Sequence, residues 1–336
     1  MTEMRSPLIS FLVFILLISC NAKKENPGYV GTVDGKIEPA ELGLTLIHEH
    51  ILVDFIGADS TGYHRWERDS VIQRVLPFLE NIKSKGVRTI IECTPSYLGK
   101  DPVLLKKLSE LTGIQFVTNT GYYGAVGGKY LPSHAYKESA RELADRWIDE
   151  FHQGIEDTGI FPGFIKISVN EGSELSPMDR KLVQAAAMTH RETGLLIVSH
   201  TGPWATAKAE IDVLLEEKVD LSHFVWVHAQ AEKDFNQYIK AAEYGVWISL
   251  DGIVWDVAGH LDRVLFAKEN KLLDNILLSH DAGWYSPGEP NGGDFKGFNA
   301  LFDELIPAMI REGFTQEELD LILVENPKKA FTIKAK

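Results

Sequence analysis

Several short apolar runs in this sequence stop at side chains that bind metals or move protons. Leu44–Ile47 is followed by His48-Glu49-His50, and Phe164-Ile165-Lys166-Ile167 carries a lysine. Ser199-His200 ends the run from Leu195, His228 ends the run from Phe224, Asp251 ends the run from Gly245, and His280-Asp281 follows Asn275–Leu278. Residues two apart on a strand share a face, so His48 and His50 point two imidazoles to one side. Imidazole suits zinc and similar borderline metals. An isolated HxH is common by chance; His200, His228 and Asp281 at the ends of later runs make it a pattern. Lys166 lies among apolar neighbours, where a bare ammonium is costly unless paired. Three readings stay open: a salt bridge to Glu171 or Asp281, a lysine facing solvent at a strand end, or a lysine carbamylated by CO₂. The last is an anionic oxygen ligand able to bridge two cations.

These groups need a frame that brings strand ends together. The runs at Leu44–Ile47, Val87–Ile91, Ile114–Val117, Phe164–Ile167, Leu195–Val198, Phe224–Val227, Gly245–Leu250 and Asn275–Leu278 are rich in β-branched and aromatic residues. Near-continuous apolar runs suit strands buried on both faces of a parallel sheet. Between them lie amphipathic segments, among them Ser70–Ser84, Pro102–Leu111, Pro177–Thr193 and Ala205–Lys218. Strict alternation predicts an α/β fold, and about eight repeats is the count of a (β/α)₈ TIM barrel, whose catalytic groups sit at the C-terminal strand ends. A doubly wound open sheet is the competing architecture. Gly31–Gly43 is expected to form a hairpin under or beside the barrel.

Net charge is -14 over 336 residues. An acidic chain gains nothing from a phosphate backbone, so nucleic-acid binding is not expected. At the N-terminus, Arg5 precedes an apolar run from Leu8 to Ile18, shorter than the roughly 20 residues of a membrane span. It ends in Leu17-Ile18-Ser19-Cys20, similar to a bacterial lipobox. The expectation is a signal peptide over residues 1–19, an acylated Cys20, a polar tether over 20–30, and one hydrolase domain over 31–336. That would place the protein in the bacterial cell envelope, held to a membrane by its lipid. With Cys20 modified, Cys93 has no partner for an intrachain disulfide and reads as a buried thiol.

In order and approximate spacing, His48-x-His50, Lys166, His200, His228 and Asp281 resemble the phosphotriesterase family of the amidohydrolases. The resemblance covers roughly Gly31–Phe331. It implies two divalent metal ions, with zinc the expected identity. His48, His50 and Asp281 would bind the buried ion and His200 and His228 the more exposed one. Carbamylated Lys166 and a hydroxide would bridge them, with Asp281 as proton acceptor.

For the substrate, the aromatic residues Tyr122, Tyr123, Trp204, Trp255 and Trp284 fall after strand ends and are expected to line a pocket for an apolar or ring-shaped small molecule. Tyr123 stands where lactonase members place a tyrosine and organophosphate-hydrolysing members a tryptophan. It is expected to act on the substrate through its hydroxyl. Gly252 follows Asp251 where those groups carry histidine or arginine, and Ala229-Gln230-Ala231 follows His228 without a carboxylate for a proton relay. Together these favour a lactone or carboxylic ester, with at most weak phosphotriesterase activity. The alternatives are a phosphotriesterase proper, a mononuclear deaminase, which has no use for Lys166, and a non-catalytic metal-dependent binding lipoprotein. A homodimer is left open.

Overall fold

The computed structural model describes residues 28–334. The signal peptide, the acylated Cys20 and most of the tether fall outside the described residues. The folded chain begins earlier than expected: Tyr29 and Ile333 exchange backbone hydrogen bonds of 3.0 and 2.8 Å, and Val30 is fully buried. Residues 28–30 are therefore part of the domain, not of a tether.

We number the barrel strands β1 (Thr45–Leu52), β2 (Thr89–Glu92), β3 (Gln115–Val117, continued by Asn119–Thr120), β4 (Phe164–Ser168), β5 (Leu196–His200), β6 (Phe224–Val227), β7 (Trp247–Leu250) and β8 (Ile276–Leu278). Each pairs in parallel with its neighbour from β1 to β8. A short segment after β8, Gly283–Tyr285, pairs with β1 through Gly283 opposite His50 and Tyr285 opposite Leu52. The sheet closes there, and the fold is the expected TIM barrel. Gly283 is obligatory at the seam, because a Cβ would meet the His50 carbonyl oxygen at 1.7 Å. Beneath it, Glu49 accepts hydrogen bonds from Ser279 Oγ, the His280 and Ala282 backbone N–H groups and His280 Nδ1. His280 Nε2 in turn accepts from Leu301 N. Glu49 and His280 thus satisfy each other inside the wall and are spent on closing the barrel.

Helices outside the sheet carry ordinary start and stop signals. Helix Pro177–Thr193 starts with the Ser176 side chain accepting from Asp179 N and stops at Gly194 in the left-handed region. Inside the barrel, Ile47, Ile91, Cys93, Val117, Phe164, Val198, Val225, Val227 and Leu277 form an apolar layer. Val30, Leu42, Ala330 and Phe331 join the same cluster. The hairpin Val30–Thr32/Gly35–Ile37 that carries Val30 is the one expected over Gly31–Gly43. This end is the barrel floor, and the C-terminal strand ends form the mouth.

Candidate metal centre

β1 does not stop at Ile47, as the apolar run implied; it continues through His48 and His50 to Leu52. Its register against β2 slips by one residue between Leu46 and Glu49. A bulge of this kind re-aims the side chains beyond it. Ile47 therefore faces the barrel core while His48 and His50 both line the cavity above it.

That cavity holds about 130 Å³ and is lined by His48, His50, Lys166, His200, His228 and Asp281, with Tyr123, Trp284, Phe55, Val53, Leu98, Pro95 and Cys93 around them. Two ligand groups face each other in it. Metal-binding atoms of His48, His50 and Asp281 lie within 4.8 Å of one another. Asp281 Oδ1 is 3.1 Å from His50 Nε2 and 3.5 Å from His48 Nε2. Opposite, His228 Nε2 stands 2.7 Å from His200 Nδ1. His228 and Asp281 hold φ values of 59° and 50°, left-handed conformations that cost non-glycine residues energy and persist only where the surroundings impose them.

Partners behind the ligands decide which nitrogen each presents. His50 Nδ1 is 2.8 Å from Thr94 Oγ1, whose hydroxyl donates to Glu92 Oε1 at 2.6 Å. Thr94 then accepts from His50 Nδ1–H, leaving Nε2 with a free lone pair. His228 Nδ1 likewise donates to Asp251 Oδ1 at 2.7 Å, leaving its Nε2 free. Asp251 is fully buried and also accepts from Ser249 Oγ and Gln230 Nε2. Its Oδ2 lies 3.4 Å from His48 Nδ1, near enough for charge attraction and long for a hydrogen bond. One carboxylate thus orients His228, the arrangement that fixes tautomers behind metal ligands, and places its charge beside His48.

Electrostatics divide the ligands: burial would lower His228, but the Asp251 carboxylate outweighs it and raises its pKa, while His48 and His200 are held down. Burial, reinforced by the Lys166 charge, pulls His48 down to about 3. Burial, then the neighbouring His228 and Lys166, holds His200 well below the usual histidine range. Neutral imidazoles are what a metal requires. Burial would raise the Asp281 carboxyl, but the imidazoles around it, His50 first at 3.1 Å, outweigh burial and keep the group ionised.

Lys166 tests the fit to metals most sharply. It is 1% exposed, and its Nζ has no hydrogen-bond partner among the described residues. An unpaired buried ammonium costs several kcal/mol. A carbamate on the same nitrogen, facing a pair of cations, removes that cost. With four imidazole nitrogens and one carboxylate around it, the donor set fits two divalent ions.

The aromatic residues separate. Gly121 (φ 113°), where a Cβ would meet the Lys166 carbonyl oxygen at 2.2 Å, lets the chain cross close over β4. Tyr123 then faces the cavity, its hydroxyl 3.1 Å from His200 Nε2. Burial, then the Asp281 charge, raises its phenol and keeps it protonated. Trp284 also lines the cavity, and Trp255 stands at its rim, 5.8 Å from the Trp284 ring and half exposed. Tyr122 and Trp204 do not line it, contrary to expectation. Adjacent residues in extended chain point to opposite sides, so Tyr122 turns outward against Trp147 and His134. Trp204 packs on Trp226 at the start of its helix. Phe55, from the loop after β1, supplies a wall the sequence reading missed. Thr94 and Glu92 behind the ligands were missed as well. Asp251, the carboxylate ending an apolar run, takes the place behind His228; Glu232, a little further on, is spent on the Trp204, Lys233 and Asp234 backbone N–H groups. Gly252 also finds its reason here: a Cβ would press on Gln230 Nε2 at 2.7 Å and displace the amide that holds Asp251.

Comparison with known proteins agrees with this geometry. The chain is 29% identical over 294 residues to a phosphotriesterase homology protein of Escherichia coli strain K12, covering 86% of this chain and 98% of the relative. It is 29% identical to an aryldialkylphosphatase of Saccharolobus solfataricus, covering 88% and 97%. A solved structure described as organophosphate hydrolysis activity engineered from a weak promiscuous lactonase template matches with a TM-score of 0.80 at 25% identity, covering 90% of this chain and 99% of that one. The phosphotriesterase family profile matches residues 28–331, essentially the whole described domain, and the chain belongs to the phosphotriesterase family.

Proposed function

We propose that this hydrolase opens small lactones or cleaves small carboxylic esters at a centre of two divalent metal ions, with zinc the expected identity. The observation that carries the substrate class is the cavity itself. Beyond the ligands its walls are apolar and close, formed by Val53, Phe55, Leu98 and Trp284, and they favour a small compact substrate. Tyr123 adds a neutral hydroxyl donor beside the ligands, suited to an ester or ring oxygen.

His48, His50 and Asp281 would hold one ion, His200 and His228 the other, and carbamylated Lys166 would join them. When bound, the ions activate water and polarise the scissile carbonyl. The chain does the rest. Asp281 is ionised and 3.1 Å from His50 Nε2, placed to take a proton at Oδ1 and release it to the departing alkoxide. Tyr123 O–H orients the substrate oxygen. Asp251 and Thr94 hold the imidazoles still. Val53, Phe55, Leu98 and Trp284 cover the apolar part of the substrate and exclude water. The reading includes an acylated Cys20 and removal of residues 1–19, to be checked by mass spectrometry of the N-terminal peptide from the native host.

The test compares lactones of several ring sizes, aryl esters, simple amides and a phosphotriester with one metal. Lactones or esters should lead in kcat/KM. A phosphotriester ahead by tenfold, about 1.4 kcal/mol in the transition state, would overturn the substrate class. Tyr123→Phe should slow lactone turnover more than phosphotriester turnover.

A further inference from the structure

We propose that the barrel floor is a membrane-facing surface that seats on a phospholipid bilayer and turns the catalytic mouth toward water. The inference rests on the acylated Cys20 proposed above and on where the chain enters the fold. Gly28, the first described residue, stands eight residues after Cys20. Tyr29 is fixed to Ile333, and Val30 is buried in the apolar cluster that contains Phe331 and Leu42. Gly31 touches Gly163, immediately before β4 begins. The chain therefore enters at the N-terminal ends of the strands, opposite the metal centre.

Lengths then decide the orientation. A fully extended chain covers at most about 3.6 Å per residue, so Cys20 reaches about 29 Å from Gly28. The eight residues of β1 alone rise about 25 Å. To put its lipid level with the mouth, the tether would also have to pass around a helical layer about 10 Å thick. With strands tilted about 36° to the barrel axis, that route takes the whole reach of a fully extended tether, whereas a bilayer lying against the floor needs little of it.

The floor has the chemistry for such a neighbour. A groove of about 260 Å³ opens at the root of the tether, lined by Tyr29, Lys36, Phe151, His152, Phe161 and Pro162 among others. Phe161 is 43% exposed, and the Lys36 ammonium lies 4.1 Å from the centre of the Tyr29 ring. Aromatic rings beside a cation match the layer where headgroups meet acyl chains. The groove lining itself contains no carboxylate among the described residues. No helix among the described residues is long and apolar enough to cross a membrane, so this contact is superficial and the lipid supplies the hold. Substrate then reaches the mouth from the aqueous phase, and a substrate dissolved in the bilayer does not.

The test uses the full lipid-modified chain in vesicles of phosphatidylethanolamine and phosphatidylglycerol (3:1). His152→Cys on the floor and Val126→Cys on the loop after β3 each receive an environment-sensitive fluorophore; Cys93 is buried and does not react. Quencher-bearing lipids should dim the label at 152 at least threefold more than the label at 126. Phe161→Glu should reduce that protection with lactone hydrolysis unchanged. Equal quenching, or stronger quenching at 126, overturns the orientation, and so does an N-terminal peptide mass without lipid. Neither result touches the lactone reading, which is tested by turnover alone.

Discussion

The two halves of the metal centre are built differently. His48, His50 and Asp281 stand on β1 and just past β8, where Gly283–Tyr285 pairs with β1 and Glu49 pins the seam. Their geometry is inherited from barrel closure. His200 and His228 stand at the ends of β5 and β6, and one of them borders Tyr123. On the proposed reading, this is the half beside which Tyr123 would orient the substrate. The difference teaches that one half is held by the wall and the other by single side chains behind it. Asp251 belongs to both, since it bonds His228 and faces His48.

The largest effect should come from the closed half. Asp281→Asn removes both a ligand and the proton acceptor, and kcat should fall by roughly 10³-fold. Steady-state turnover with excess metal checks this; a loss under tenfold would mean the acid acts elsewhere. Asp251→Asn should weaken metal affinity by about 10–100-fold. Competition with a chelator should show both ions weakened, because the carboxylate faces an imidazole of each group. If only one ion loosens, the halves are independent. Thr94→Val, which leaves His50 Nδ1 without its acceptor, should give a smaller loss confined to the closed half.

Last comes a buried acid that touches neither half directly. Glu210 accepts from Thr201 Oγ1 at 2.6 Å and from Ser199 Oγ, on either side of His200, and burial pushes it up to about 8. The folded state then binds this proton more tightly than the unfolded one. Its stabilisation is full at low pH and is lost as pH rises from about 4.5 to about 8, by about 1.4 kcal/mol per unit. Glu210→Gln should flatten the pH dependence of Tm across that window and melt above the parent at pH 8. An unchanged slope would mean Glu210 is ionised throughout.

The alternation of runs and the residues ending them made the barrel and its convergent donors readable, because both follow from local pattern. Helix Pro177–Thr193 has the bounds its amphipathic spacing implied, with Ser176 and Gly194 as its caps. What escaped depends on contacts distant in sequence. The end of β1 is set by Gly283–Tyr285, more than 200 residues away, so its run looked finished at Ile47. Tyr122 and Tyr123 are equivalent as neighbours in a sequence, and only the close crossing at Gly121 decides which one faces the ligands. Trp204 looked like a pocket wall until Trp226 claimed it. Thr94 has no motif at all; it matters because β2 lies against His50.

The central claim is that two ligand groups share one lysine. It is tested most directly by counting metal in protein purified with saturating zinc, by elemental analysis against amino-acid quantitation, for the parent chain and for Lys166→Ala. The account predicts two equivalents per chain in the parent and one or fewer in the variant, with short carboxylic acids restoring part of the loss. One equivalent in the parent, or two in both, would contradict it.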